Sequence, residues 1–316
     1  MARLILALPS ALRPDALFPT LPAAAPGLDK LLRRGDPLVP APSLTGLACR
    51  FLGLPDEAAP PVAALTALGD GLEGTSGYWL RLDPGYLEPG MGGLMFTPAS
   101  RLDLGLEEAR ALADSLRPYW EESGAGGRLL VPAAGRWYVT LDTDPDLVTT
   151  PLDRIGADYL TPHLPRGRGA MAWMRRVNEA QMVLHDHPVN RAREAAGRAP
   201  INGLWLWGGG RCPALPAQPG TLLGGDEDNL ALARGAGARA DPLPDTADGI
   251  GDARTLAVLP SLDDGHTLAD TLADLDRRWF APLLAALRLG RRAELELHLA
   301  DRAVRLTPAS AWRLWR

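Results

Sequence analysis

The sequence predicts an α/β fold in which a central, mostly parallel sheet is interrupted by an inserted α+β subdomain. Apolar segments alternate with helix-like segments at both ends of the chain, which is typical of a parallel sheet flanked by helices. From Gly77 the pattern changes to strands separated by turns, with one amphipathic helix among them. We therefore assign residues 1–75 and 166–316 to the α/β core and residues 76–165 to the inserted subdomain.

The predicted core begins with a buried strand and ends with two more. Arg3–Leu8 is an apolar run interrupted at once by Pro9, which favours a first strand over a secretory leader. Pro26–Gly35 carries three leucines on one helix face and a closing glycine. Similar patterns predict the other core elements: helices at Leu44–Leu54, Asp226–Gly237 and Leu268–Leu289, and strands at Thr221–Gly225, Thr255–Leu262, Glu294–Ala300 and Ala303–Leu306.

The inserted subdomain is predicted from short strands around a single helix. Leu106–Trp120 places its apolar residues on one face at helical spacing. Turn residues bound the strands on both sides of that helix. The predicted strands are Gly77–Leu82, Gly93–Thr97, Arg128–Val131 and Gly135–Leu141.

Composition excludes several classes of protein. The 316 residues are 46% hydrophobic with a net charge of -5, which is typical of a globular protein and excludes a general nucleic-acid binder. No apolar run reaches the ~18 residues that a membrane span needs. Cys49 and Cys212 are far apart, so we expect free thiols and a cytoplasmic location. Lys30 is the only lysine, which excludes a second lysine as a Schiff base or general base.

The stretch Asn178–Gly210 gathers polar residues at the ends of predicted elements. An amphipathic helix ends near His185, and Asp186 is a suitable cap for a second helix that has Pro188 in its first turn. Ile201–Trp207 is then predicted as a buried strand. Three glycines follow it, where the backbone can approach a ligand closely.

Two interpretations of these polar residues stay open. Arg191 is suited to charge-assisted contacts with a phosphate or carboxylate, which would make the stretch a ligand site. In the other interpretation, the polar side chains only clamp loops together while Trp205 and Trp207 are core, and spacing alone favours this one. The candidate ligand-binding residues are His187, Asn190, Arg191, Asn202, Gly208, Gly209 and Gly210.

A metal site is an alternative near the C-terminus. Asp263, Asp264 and His266 offer oxygen and imidazole donors within one turn, although an aspartate there is equally suited to cap the next helix. His185 and His187 form a second histidine pair, but residues two apart do not share a helix face. The chain contains neither a phosphate-binding P-loop nor a Gly-x-Ser-x-Gly nucleophile motif.

Several motifs carry a resemblance to a known family. HPVNRAREAAGRAPINGLWLWGGG, residues 187–210, resembles a signature of archaeal-type cofactor-independent phosphoglycerate mutases, as do Pro26–Gly35 and Asp263–Leu284. Over nearly its full length the chain is similar to bacterial RpfE-type regulatory proteins, through GYWLRLDPGYLEP (77–89), GRWYVTL (135–141) and the terminal WRLWR. The resemblance implies an alkaline-phosphatase-like α/β core with an inserted subdomain.

The chain departs from the mutases at the positions that would carry catalysis. The resemblance implies two divalent metals and a serine nucleophile, but the first strand ends in Leu8-Pro9-Ser10 instead of Asp-Gly, and the nucleophile position falls on Leu44. The late Asp-His pair appears as Asp301-Arg302, and Leu262 replaces another aspartate. Two-metal phosphoryl transfer needs these ligands and the nucleophile.

The favoured hypothesis is a catalytically degenerate, mutase-like protein that binds a small anionic ligand or a protein partner in a regulatory role, with no cofactor. Arg302 would then supply positive charge where the mutases hold metal. A second hypothesis is a phosphomutase or phosphatase that uses Mn or Mg at a rearranged site around His266, Asp263 and Asp264, with His185 and His187. A third is an interaction protein whose signature residues only hold the fold. No nucleic-acid or membrane partner is expected.

Overall fold

The computed structural model describes residues 3–9, 21–54, 61–73, 76–90, 93–121, 127–155, 159–215, 217, 220–262, 268–299 and 301–313. Its strands are β1 Arg3–Ala7, β2 Asp36–Leu38, β3 Tyr78–Gly90, β4 Gly93–Pro98, β5 Leu129–Ala133, β6 Arg136–Leu141, β7 Gly203–Gly210, β8 Thr221–Gly224, β9 Arg239–Asp241, β10 Thr255–Val258, β11 Glu294–His298 and β12 Ala303–Leu306. Its α-helices are α1 Leu21–Ala24, α2 Pro26–Arg34, α3 Leu44–Leu52, α4 Val62–Gly69, α5 Leu106–Glu121, α6 Ala170–His185, α7 Pro188–Ala195, α8 Glu227–Gly235, α9 Leu268–Leu275 and α10 Ala281–Arg288.

The chain divides into two compact units. The first comprises residues 1–53 and 215–316, and the second comprises residues 54–214. Residues 54–75 and 166–214, predicted to belong to the core, thus lie in the second unit. The difference arises because β7 pairs antiparallel with β3, so the central stretch completes the second sheet. Its helix α6 also shares an apolar core with α5.

The first unit is built on a seven-stranded sheet in the order β2-β12-β11-β1-β10-β8-β9. Strands β11, β1, β10, β8 and β9 run parallel, and at one edge β12 pairs antiparallel with both β11 and β2. Leu4, Leu6, Leu295 and Leu297 point to one face and join the leucines of the flanking helices in a core. This confirms the predicted α/β class with a mostly parallel sheet.

Helix α2 begins without a side-chain cap of its own. The buried carboxylate of Asp276 accepts hydrogen bonds from the Leu28 N–H at 2.9 Å and the Gly27 N–H at 3.2 Å, which satisfies donors at the helix start. Asp276 opens a π-helical turn, Asp276–Phe280, between α9 and α10. That turn interrupts the single helix predicted over 268–289.

The second unit contains five antiparallel strands in which β3 pairs with β4, β6 and β7. Predicted strand Gly77–Leu82 is longer than expected, because β3 continues to Gly90 and forms a hairpin with β4. Helices α5 and α6 cover one face through Leu112, Leu116 and the paired rings of Trp120 and Trp173, whose centroids are 5.5 Å apart. The separate antiparallel sheet agrees with the α+β character predicted for the insert.

A buried ion pair lies in the middle of this second sheet. Arg81 and Asp83 on β3 form two hydrogen bonds of 2.9 and 2.7 Å, and the Trp207 indole N–H donates to the same carboxylate at 2.6 Å. The Arg81 guanidinium also lies 4.6 Å from the centroid of the Trp207 ring. These contacts pair the charges of two side chains that are almost wholly buried.

Candidate functional site

The carboxyl ends of parallel strands are where α/β proteins place binding residues. In the first unit, the end of β1 is hydrogen-bonded to the ends of both neighbouring strands, β11 and β10. The Leu8 N–H donates to the His298 carbonyl at 2.9 Å, and the Leu259 N–H donates to the Ala7 carbonyl at 2.8 Å. Strands β11, β1 and β10 therefore end at one common edge, which we call the carboxyl edge.

Arg302 lies at this carboxyl edge in the tight turn between β11 and β12. The Leu299 N–H donates to the Arg302 carbonyl at 2.8 Å, which closes the turn. Asp301 and Arg302 are both exposed. The turn thus presents a carboxylate and a guanidinium directly after the strand that lies beside β1.

Charged residues alternate with leucines along β11, and this places them on the sheet face opposite the leucine core. Glu296 is buried and forms ion pairs with Arg3 at 2.5 Å and Arg305 at 3.0 Å. Burial by itself raises the pKa of Glu296, but the nearby His298 imidazole and the two guanidinium groups lower that pKa to about 2. Glu296 therefore stays ionised across the neutral range.

His298 and Glu296 are not among the site residues predicted from the sequence. The signal for both was the strand Glu294–His298, in which a polar residue stands at every second position. His298 is 5% exposed, and the distance from its Nε2 to the Glu296 carboxylate is 3.7 Å. The tertiary structure makes it a buried histidine.

The alternative metal residues Asp263, Asp264 and His266 lie outside the described residues. Among the residues that are described, no group of three or more His, Cys, Asp or Glu side chains could hold a metal ion. Leu44, which stands where the resemblance to the mutases implies a nucleophile, is the first residue of α3. The neighbouring Ser43 hydroxyl accepts the Gly46 N–H at 3.0 Å and so caps that helix.

The candidate residues of the central stretch lie in the second unit, and several of them contact backbone. The Asn190 amide is buried, donates to the Leu184 and Ile201 carbonyls at 2.7 and 2.8 Å, and accepts the Ile201 N–H at 2.8 Å. The Asn202 amide accepts the Leu87 N–H at 2.7 Å and donates to the Leu87 carbonyl at 3.1 Å. Asn202, which directly precedes β7, thereby extends the pairing between β7 and β3 by one residue.

His187 caps helix α7, since its Nδ1 accepts the Val189 N–H at 3.2 Å. Desolvation lowers the pKa of His187, which favours the neutral imidazole that this cap requires. Asp186, expected to be this cap, instead ends α6 and lies 3.5 Å from the exposed Arg191 guanidinium. His185 is exposed and lines a shallow groove of about 450 Å³ with Gln181.

Arg193, two residues after Arg191, has the opposite environment. It is fully buried and donates to the carbonyls of Ala199 at 2.9 Å and Leu102 at 2.6 Å. It also forms an ion pair of 2.9 Å with Glu108 on α5. Arg193 thus ties α7 to the start of α5.

The three glycines after Trp207 form the last part of strand β7, whereas the sequence analysis expected them to follow the strand. A Cβ at Gly209 would lie 2.7 Å from the Tyr78 hydroxyl oxygen, and one at Gly210 would lie 2.1 Å from the Pro61 Cβ. Gly208 has φ +68 and packs against Val62. The close approach that requires glycine here is made by the chain's own residues.

The described part of the chain contains no helix long and apolar enough to cross a membrane. The two cysteines are free thiols, with Cys49 buried and Cys212 partly exposed.

The fold defines a mixed α/β protein, with a mostly parallel sheet in one unit and a separate antiparallel sheet in the other. A solved structure of a Pyrococcus horikoshii protein matches with a TM-score of 0.53 and 17% identity, covering 96% of this chain and 86% of that one. A cofactor-independent phosphoglycerate mutase from Thermoplasma acidophilum gives a TM-score of 0.46 and 21% identity, covering 97% and 90%. No protein-family profile matches the chain.

Two relatives that are similar in sequence are both named as phosphoglycerate mutases. A Methanothrix thermoacetophila protein named 2,3-bisphosphoglycerate-independent phosphoglycerate mutase is 36% identical over 110 residues, which cover 35% of this chain and 27% of the relative. A Geobacter sulfurreducens protein, named as a probable enzyme of the same kind, is 33% identical over 96 residues, covering 30% and 24%. The matched segment thus spans about a quarter of these relatives, and the chain is phosphoglycerate-mutase-like over that segment.

Proposed function

We propose that this chain is a phosphoglycerate-mutase-like protein that no longer transfers phosphoryl groups and binds a small oxyanion in a regulatory or binding role. One observation carries the proposal: an exposed arginine, Arg302, follows β11 at the carboxyl edge, next to the end of β1. A guanidinium presents several donors to phosphate or carboxylate and carries its charge at any physiological pH. It can therefore replace metal charge in holding an oxyanion.

The end of β1 supports the same proposal. After β1 the chain continues into Leu8 and Pro9, whose side chains are apolar and offer no metal ligand. Leu44 likewise provides no hydroxyl at the position that the resemblance assigns to the nucleophile. A site with a guanidinium but without these groups is suited to bind an oxyanion and not to cleave it.

Titration calorimetry with inorganic phosphate and 3-phosphoglycerate tests this function. We expect Arg302→Ala to weaken binding at least tenfold, because a charge-assisted contact to an oxyanion is lost. Arg291→Ala is the matched control, since Arg291 is also exposed and precedes β11 at its opposite end. Equal affinities for the wild type and Arg302→Ala would contradict the proposal.

Metal content and turnover separate this function from the metal-dependent alternative. We expect the purified chain to show no mutase or phosphatase turnover when Mn or Mg is added. Stoichiometric metal together with turnover that is lost in His266→Ala would instead establish a phosphomutase or phosphatase with a rearranged site.

A second candidate is an interaction protein, and the contacts of the central stretch favour it. Asn190, Asn202 and Arg193 donate mainly to backbone carbonyls of the second unit, as a structural role requires. In this case His187→Ala, which removes the cap of α7, would lower stability without altering the affinity for any oxyanion. The calorimetric titrations described above decide between the two candidates.

A further inference from the structure

His298 ends β11 at the carboxyl edge and is a buried histidine with unused hydrogen-bonding groups. Its side chain is 5% exposed, and neither ring nitrogen has a hydrogen-bond partner among the residues that the structure describes. The Glu296 carboxylate is 3.7 Å from Nε2, which is too long for a hydrogen bond. Leaving a buried polar group unpaired costs stability, so this imidazole calls for an explanation.

Charge compensation does not provide that explanation. The charged groups on this face come from three strands: Arg3 on β1, Glu294 and Glu296 on β11, and Arg305 on β12. The two arginines balance the two glutamates and form ion pairs with both of them. Glu296 thus already has two guanidinium partners, and the His298 imidazole adds to them only from 3.7 Å.

His298 belongs to the same hairpin as Arg302. The residue that pairs with His298 across the hairpin is Ala303, which directly follows Arg302. The His298 carbonyl accepts the N–H of Leu8, so the histidine also adjoins the segment that leaves β1. These contacts place His298 beside the position where the proposed function locates an oxyanion.

We propose that the His298 imidazole is a second, buried contact for this oxyanion, to which it donates a ring N–H while the Arg302 guanidinium supplies positive charge. The inference rests on the proposed function and adds one ligand-binding residue to it. The group that His298 recognises is an oxygen of a phosphoryl or carboxylate group. A bound oxyanion gives the imidazole the partner that it lacks.

The test uses the full chain and three probes. Titration calorimetry measures the affinity for inorganic phosphate, for 3-phosphoglycerate and for glycerate, which carries only the carboxylate. The variants are His298→Leu, His298→Gln and Arg302→Ala, with His163→Gln as the matched control from the second unit. We expect His298→Leu to weaken binding about tenfold, His298→Gln to weaken it less because its amide still donates, and His163→Gln to leave it unchanged.

A stability measurement separates a ligand contact from a structural histidine. The unliganded His298→Leu variant is expected to melt at the same temperature as the wild type or higher, because an unpaired polar group has left the interior. A structural histidine would instead give a lower melting temperature with unchanged affinity. Binding of glycerate but not of phosphate would assign the contact to a carboxylate, and the reverse would assign it to a phosphoryl group.

The outcomes distinguish this inference from the proposed function. Affinity that is unchanged in His298→Leu but lost in Arg302→Ala would overturn the role of His298 and leave the proposed function standing. Failure of the wild type to bind any probe would overturn both. If His298→Leu does not fold, the wild-type ring resonances of His298, identified by their absence in His298→Gln, must shift on addition of phosphate; an unmoved signal overturns the inference.

Discussion

The side-chain amide of Asn190 pairs with both backbone groups of Ile201: its oxygen accepts the Ile201 N–H and its nitrogen donates to the Ile201 carbonyl, each at 2.8 Å. This two-way contact joins α7 to the segment that enters β7. A third bond, to the Leu184 carbonyl, adds the end of α6. One buried amide thus holds the end of α6, the helix α7 and the segment before β7 together.

Asn190→Ala is expected to destabilise the chain by about 2–4 kcal/mol. The substitution removes three buried hydrogen bonds and takes the side-chain partner from both backbone groups of Ile201, while the Leu184 carbonyl keeps the His187 N–H. Urea unfolding followed by circular dichroism measures the change. Asn178→Ala, at an exposed position of α6, is the control and should change the unfolding free energy by less than about 0.5 kcal/mol. Similar midpoints for the two variants would show that the amide clamp contributes little.

Arg193 and Arg191 lie on one helix, but we expect their substitution to change the unfolding free energy by very different amounts. Arg193→Met is expected to cost about 3 kcal/mol or more, because the carbonyls of Leu102 and Ala199 lose this donor and Glu108 loses one of its two arginine partners. Arg191→Met removes only an exposed pair with Asp186 and should cost below about 0.5 kcal/mol. Thermal and urea unfolding of both variants measure the difference, and a larger loss for Arg191 would contradict the structure.

The low pKa of Glu296 makes stability depend on pH in acid. Its pKa is about 2 in the folded chain and near 4.5 as the ordinary value, so the carboxylate stabilises the fold above about pH 4.5 and that contribution is lost as the pH falls towards 2. The contribution is on the order of 2–3 kcal/mol, reduced by the partial exposure of Arg3 and Arg305.

Glu296→Gln should therefore flatten the unfolding free energy between pH 5 and pH 2 relative to the wild type. Urea unfolding at several pH values measures this slope. Glu294→Gln is the matched control, because Glu294 lies on the same strand and is more exposed. Parallel curves for the wild type and Glu296→Gln would show that the carboxylate titrates normally in the fold.

Substitution of Gly210 tests whether the three glycines at the end of β7 are required for close packing. Gly210→Ala would place a methyl group 2.1 Å from the Pro61 Cβ, and we expect it to cost about 1–3 kcal/mol through overpacking. Gly251→Ala is the control, since a Cβ there meets nothing within 4 Å. Calorimetric melting of both variants measures the costs. Stability of Gly210→Ala equal to the wild type, combined with weaker oxyanion binding, would support the ligand interpretation of the run.

The helices and strands were largely readable from the sequence because burial of one face imposes a periodicity. Leu28, Leu31 and Leu32 marked α2, and the alternation of Glu294–His298 marked β11. The π-helical turn at Asp276 was not readable, because its carboxylate caps a helix 248 residues away in the sequence. Such a contact has no local signature.

The candidate-site residues likewise fall into those that the sequence predicts and those whose roles depend on the tertiary structure. Residue type and position were enough to predict Arg302 and the apolar end of β1 as features of the site, because both depend only on which residue follows a strand. The roles of Asn190, Asn202 and Gly210 depended on pairing between β7 and β3, which moved the central stretch into the second sheet. Periodicity shows that a strand is buried but not which strand lies beside it.

The sequence by itself therefore determined the α/β class, most of the secondary structure and the charge available at the carboxyl edge. The tertiary structure decided which polar groups are already occupied. It gave the amides of the central stretch backbone partners and left the His298 imidazole buried without a hydrogen bond in the described part of the chain. The reason is physical: hydrogen-bond satisfaction depends on distances between segments far apart in the sequence, whereas propensity and periodicity act between neighbours.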